Sequence, residues 1–182
     1  MLRRHGMGWA AVCAVVLLAG CGASQSKPAA EAEGGETAPA EAGVQVASAS
    51  ELGAKVRQAR GKVLVVNLWA TWCPPCVAEM AELNAFYEDY AGADLRFLSI
   101  SYDDPNDTQK VAAFHEDQSL SFPVHILGEL DDASDIDKAL GTTFEGVFPT
   151  TLVYNAAGEP VKVWQEAITR EQLEEAVKPL LQ

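Results

Sequence analysis

Residues 62–76 read Lys62-Val63-Leu64-Val65-Val66-Asn67-Leu68-Trp69-Ala70-Thr71-Trp72-Cys73-Pro74-Pro75-Cys76. Val63 to Trp69 is a nearly unbroken apolar run of strand length, the pattern of a parallel strand buried on both faces. A helix-like run begins at Pro75 and reaches about Tyr90. Pro75 suits an early helical position, because the N–H it lacks would be unpaired there anyway. A Cys-x-x-Cys at the junction of a buried strand and a helix points to redox chemistry. The helix N-terminus carries partial positive charge and free N–H groups, which favour thiolate over thiol, and the thiolate is the nucleophile of disulfide exchange. Cys73, at the exposed N-cap end, is the expected attacking sulfur. Cys76, one turn in and more buried, is the expected resolving thiol.

Zinc is the competing reading of such a pair. A structural zinc site needs four ligands, commonly two such pairs or one pair with histidines. Beyond this pair the chain has Cys13 and Cys21, both N-terminal, and its histidines His5, His115 and His125 lack ligand spacing. No metal and no cofactor is therefore expected. The net charge of −13, from 26 acidic and 13 basic side chains in 182 residues, argues against nucleic acid as a partner.

The N-terminus reads as an export signal over residues 1–20. Arg3 and Arg4 supply a positive end, and Trp9 to Ala19 is an apolar stretch too short to span a bilayer with ordinary flanks. Leu18-Ala19-Gly20-Cys21 resembles the lipobox of bacterial lipoproteins, which implies cleavage before Cys21 and acylation of its sulfur. Cys13 would leave with the signal, so Cys73 and Cys76 would be the free thiols of the mature chain. Residues 21–43 hold the lipidated cysteine and an acidic tether. Gly22 to Gly43 has no aromatic or branched aliphatic residue and cannot bury enough surface to offset chain entropy, so it is expected to be disordered. Residues 44–182 suit one domain.

Within that domain Val44 to Ala47 reads as a short strand, and Ser48 with Glu51 as a capping box opening a helix to about Arg60. Leu95 to Ser101 is a strand, Asp107 caps a helix from Thr108 to Gln118, and Phe122 to Leu127 is strand-like. Asp131 to Asp135 is an acidic turn into a short helix ending near Leu140. Thr150 to Tyr154 and Val161 to Trp164 form a hairpin, and Thr169 with Gln172 opens a last helix to about Leu181. The alternation predicts an α/β sandwich, a central mixed sheet flanked by helices.

Asn67 to Cys76 and Phe148-Pro149-Thr150-Thr151-Leu152 together resemble the active-site turn and the cis-proline segment of the thioredoxin superfamily. The likeness covers residues 44–182 and is greatest to its TlpA-like and ResA-like branch of tethered extracytoplasmic thioredoxins. Phe122 to Leu140 then corresponds to an extra strand and helix before the cis-proline. The resemblance implies that Pro149 is cis and stands beside the sulfurs, that the backbone before it pairs with an extended client, and that Trp72 and Phe148 help form the client surface. It implies that Glu79, three residues after Cys76, is an active-site acid; the plain alternative is an acid favouring the helix dipole. Asn67 stands where simpler thioredoxins carry a buried aspartate, and is expected to be satisfied by neighbouring backbone. His115 and His125 read as surface and structural residues.

The function implied is a monomeric extracytoplasmic thiol-disulfide oxidoreductase, lipid-anchored to a bacterial membrane and on its periplasmic side if there are two membranes. It would reduce disulfides in exported clients such as apocytochrome c with electrons from a membrane thiol donor. Two alternatives are a disulfide-forming oxidase and, in another class, a copper-binding chaperone on the same fold. The chaperones resemble Cys-x-x-x-Cys with a distant histidine, whereas two residues separate the cysteines here. A peroxidase would want Thr-x-x-Cys, and Thr71 stands two residues before Cys73 rather than three.

Overall fold

The apolar run forms strand β2 (Val63–Trp69), and all seven of its residues are buried. A computed structural model describes residues 43–92, 94–130 and 134–181. The expected signal at 1–20, the tether at 21–43 apart from Gly43, the Cys21 lipidation site and the Asp131-Asp132-Ala133 part of the acidic turn lie outside the described residues. In chain order the elements are β1 (Val44–Ala47), α1 (Ala49–Gln58), β2, α2 (Pro74–Tyr90), β3 (Leu95–Ser101), α3 (Thr108–Asp117), β4 (Val124–Leu127), α4 (Ser134–Leu140), β5 (Thr150–Tyr154), β6 (Pro160–Trp164) and α5 (Arg170–Val177), then a 3-10 turn at Lys178–Leu180.

The six strands form one mixed sheet in the order β1-β4-β3-β2-β5-β6. β2, β3, β4 and β1 run parallel, whereas β5 is antiparallel to β2 and β6 to β5. The extra strand expected before the cis-proline is β4, and it enters the sheet between β1 and β3 rather than at an edge. Successive strand side chains point to opposite faces, so β2 divides its residues between two cores. Val63, Val65 and Trp69 join Met80, Leu83 and Phe86 of α2, Val111 of α3 and Leu173 and Val177 of α5. Leu64, Val66 and Leu68 join Leu52 of α1 and Ile136 and Leu140 of α4. At Gly53 the two helices of the second face approach so closely that a Cβ would lie 3.1 Å from Ala139 Cα.

The capping boxes at Ser48/Glu51 and Thr169/Gln172 are both formed. Several boundaries differ from the sequence reading, each for a local reason. Helix α2 starts at Pro74, one residue early, because Cys73 takes the extended N-cap conformation and both prolines fit the first turn. Asp107 occupies the N-cap position of α3 but makes no side-chain capping bond, its φ and ψ being −114° and 55°. β4 starts at Val124, after Pro123, which has no N–H for a sheet ladder. The last helix ends at Val177, where Pro179 turns the chain into a 3-10 turn.

The sheet also fixes where truncation hurts. Leu83→Ala, at a fully packed position of α2, is expected to cost about 3 kcal/mol. Val161→Thr, on the exposed edge strand β6, is expected to stay within about 0.5 kcal/mol of the parent. Urea unfolding of the oxidised chain measures both; equal losses would contradict the two-core assignment.

Candidate functional site

Parallel strands β2 and β3 both end at one edge of the sheet, and the chain between Trp69 and Cys73 turns there into α2. Cys73 N–H donates to Ala70 O at 3.2 Å, which closes that turn. Cys73 is the N-cap of α2, and its Sγ accepts the N–H of Cys76 at 3.4 Å. This is the position where a helix offers unpaired donors and partial positive charge. Cys73 and Cys76 are joined in a disulfide. Cys73 was expected to be exposed; it is 5% exposed, its sulfur being bonded to that of the buried Cys76 and accepting the Cys76 N–H. Cys76 is fully buried as well.

Pro149 immediately precedes β5, whose Thr150 pairs with Leu68 in the antiparallel ladder. The Phe148–Pro149 bond is cis, and Pro149 is buried. The two motifs meet at their flanks: the Trp72 ring stands edge-on to Phe148, with centroids 5.6 Å apart. Phe148 in turn packs on Tyr102 at 4.8 Å and Phe144 at 5.4 Å. Trp72 is 58% exposed, so this aromatic group presents an apolar rim beside the disulfide turn. Trp69 is core, as expected, with its indole N–H donating to Ser99 Oγ at 2.8 Å.

Glu79 lies on the inner face of α2 and is buried. Its Oε1 accepts from Asn67 Nδ2 at 2.9 Å and its Oε2 from the backbone N–H of Ile168 at 3.0 Å. Burial drives its pKa up from 4.5 to about 7, against the two hydrogen bonds, which pull it down. A helix-dipole role alone would leave this acid in water. Asn67 differs from expectation: its Nδ2 is satisfied by side chains, Glu79 and Thr151 Oγ1 at 3.0 Å, rather than by backbone. Its Oδ1 is buried without a hydrogen-bond partner among the described residues.

Asp103 was not found from the sequence. It follows β3 and is buried. It accepts from Thr71 N–H at 2.8 Å, Thr71 Oγ1 at 2.5 Å and Ser101 Oγ at 2.9 Å, and pairs with Lys110 Nζ at 3.2 Å. Burial raises its pKa, but these bonds outweigh burial and hold it below the ordinary value. The carboxylate thus anchors the turn two residues before Cys73. The available signal was the Asp103-Asp104 pair one residue past a buried parallel strand, at the strand end that carries the cysteine turn.

Residues 37–161 match the AhpC/TSA family. The chain is 31% identical over 121 residues to the thiol-disulfide oxidoreductase ResA of Halalkalibacterium halodurans, over 66% of this chain and 64% of that protein. It therefore spans somewhat under two thirds of that relative's length. StoA from Bacillus subtilis is similar in structure, with a TM-score of 0.51 and 25% identity over 64% of this chain and 82% of that one. A secreted thiol-disulfide isomerase from Corynebacterium glutamicum shares the fold, with a TM-score of 0.57 and 23% identity over 69% and 74% of the two chains.

A buried acid with a raised pKa has a signature in stability. The folded chain holds Glu79's proton up to about pH 7, while the unfolded chain releases it near pH 4.5. Folding is therefore favoured below pH 4.5, and that advantage is lost as pH rises to 7, by about 3 kcal/mol. Glu79→Gln removes this dependence. Urea unfolding of both oxidised chains is expected to favour the variant at pH 8, relative to pH 4, by that amount; parallel pH profiles would contradict it.

Proposed function

The chain belongs to the AhpC/TSA family as a ResA-like member of the thioredoxin superfamily, and on that basis we propose that it exchanges thiols and disulfides through Cys73 and Cys76. The observation that carries this reading is the bond from Cys76 N–H to Cys73 Sγ at the start of α2. The same N–H, with the helix end behind it, is placed to hold a Cys73 thiolate once the disulfide is reduced.

In the reductive direction, the Cys73 thiolate attacks one sulfur of a client disulfide. A mixed disulfide forms and one client sulfur leaves as thiolate. Cys76 then gives up its proton and attacks Cys73 Sγ, which releases the second client thiolate and closes the Cys73–Cys76 disulfide. Two electrons pass to the client. A membrane thiol donor returns them by the reverse sequence. Glu79 is the group assigned to take the Cys76 proton, since residues three apart share a helix face and a base poised near neutrality suits proton transfer at working pH. Trp72 and Phe148 form the surface on which the client chain lies, and the buried Pro149 is the client-binding residue assigned beside them. Thr71 is no peroxidatic threonine in this reading, because its hydroxyl is taken by Asp103.

The compartment is extracytoplasmic, with the domain held to a membrane by a lipid on Cys21, acting as a monomer. The clients are exported proteins with exposed disulfides, of which apocytochrome c is the one the resemblance implies. The relation to ResA and the apolar rim around Trp72 and Phe148 support this reading.

Trapping tests it. With a client peptide bearing one disulfide, Cys76→Ser is expected to accumulate a mixed disulfide at Cys73, seen by mass spectrometry under non-reducing conditions. Cys73→Ser is expected to trap none. Trapping at Cys76 instead, or none in either variant, would overturn the assignment.

A further inference from the structure

Asn67 is the polar side chain in an otherwise apolar β2, and it faces α2. Directly across the antiparallel ladder stands Thr151. Among the described residues the amide makes two bonds as a donor, to Glu79 Oε1 at 2.9 Å and to Thr151 Oγ1 at 3.0 Å, and none as an acceptor. Both hydrogens of Nδ2 are therefore in use while Oδ1 stands buried and unpaired. An amide carries two donors and an acceptor with two lone pairs, and a buried acceptor left unpaired costs free energy.

This arrangement suits only one protonation state of Glu79. An ionised carboxylate accepts at both oxygens, as observed from Asn67 and Ile168. A protonated one must donate from one oxygen. Oε2 faces a backbone N–H that cannot move away without disturbing the segment that leads into α5. The proton therefore belongs on Oε1, where it meets the Nδ2 hydrogen of Asn67, donor against donor. A half-turn of the amide relieves this: Oδ1 then accepts from Glu79. Thr151 follows without moving, since its hydroxyl accepts from Nδ2 in one orientation and donates to Oδ1 in the other.

We propose that Asn67 is a positioning residue whose amide reverses as Glu79 gains and loses its proton, with Thr151 as the partner that serves both orientations. This rests on the assignment of Glu79 as the acid that exchanges a proton with Cys76. The reversal gives the buried acid a matched partner in each state, so that its proton can leave and return without water entering the core. The other ionisable groups around Glu79 are few. Its own helix carries the two cysteines, and Glu82 one turn on, which accepts from Arg170 N–H at 3.1 Å. β2 and β5 contribute Asn67 and Thr151, neither of which titrates. The segment before α5 contributes the Ile168 N–H and an exposed Glu166, and the Arg170 side chain is paired with Asp89 and Glu174.

Nuclear magnetic resonance on the full oxidised chain tests this without a variant that has to fold. The Asn67 side-chain NH2 signals and the Glu79 carboxyl carbon are followed from pH 4 to 9. The expected result is one shared midpoint, with the cross-relaxation between the Asn67 NH2 and the Thr151 methyl present at high pH and lost at low pH. In Glu79→Gln the Asn67 signals are expected to stop titrating. An Asn67–Thr151 contact that persists while Glu79 titrates would overturn the proposal, as would continued titration of Asn67 in the variant. The proton-exchange role of Glu79 is read separately, from the pH–rate profile of thiol exchange in Glu79→Gln. An unchanged profile there fails that role while leaving the amide reversal to the resonance data.

Discussion

A strand buried on both faces admits a polar side chain only where other elements satisfy it, and β2 carries one, Asn67. That constraint organises the site. The amide reaches Thr151 on β5 and Glu79 on α2, and Glu79 in turn holds the backbone of Ile168 ahead of α5. Two further pieces of chain, α2 and the segment before α5, are joined to the sheet through one buried carboxylate. Burying such a group is unfavourable unless it is hydrogen-bonded or neutral. Here it is hydrogen-bonded at both oxygens and its pKa is raised to about 7, so it stands at the balance between the two conditions. The helix that carries the disulfide is thus fixed to its sheet by a group that can change charge near neutral pH.

The opposite flank of the cysteine turn is fixed by a carboxylate of the other kind. Asp103 is also buried, but Thr71, Ser101 and Lys110 supply enough donors to keep it ionised. The contrast is one of donor supply together with depth, Glu79 being the more deeply desolvated of the two. A fixed charge suits an anchor, because its bonds to the turn do not vary with pH. A titrating group suits proton exchange. Cys73 is bonded to the start of α2, and Trp72, its neighbour in the chain, packs edge-on to Phe148.

The sequence made legible what depends on local pattern. The β2 run, the Cys-x-x-Cys at a helix start, the proline after Phe148 and both capping boxes are contiguous signals, and each formed. What it left out depends on contacts between distant segments. Asp103 gathers donors from Thr71, 32 residues away in sequence, and from Lys110 on the next helix. No local pattern announces that convergence. Asn67 was readable as buried but not its partners, since the ladder register with β5 and the facing helix decide them. Asp107 had the right residue type for a cap, yet its backbone angles turn the side chain away from that role. Cys73 proved buried in its disulfide with Cys76, a tertiary outcome that the Cys-x-x-Cys pattern does not state.

The proposed reductive direction rests on the charges that the sequence places near Cys73. A strongly depressed thiol pKa stabilises the reduced form and makes a couple oxidising. The segment from Val63 to Leu95 contains no lysine or arginine, Lys110 is paired with Asp103, and the helix carries Glu79 and Glu82. The helix N-terminus is then the group that favours thiolate at Cys73 in this proposal. Equilibration of the full chain with glutathione buffers, followed by tryptophan fluorescence, measures the outcome. A reduction potential near about −270 mV, that of a reductant, is the predicted result, and a value near about −120 mV, that of a strong oxidant, would contradict it.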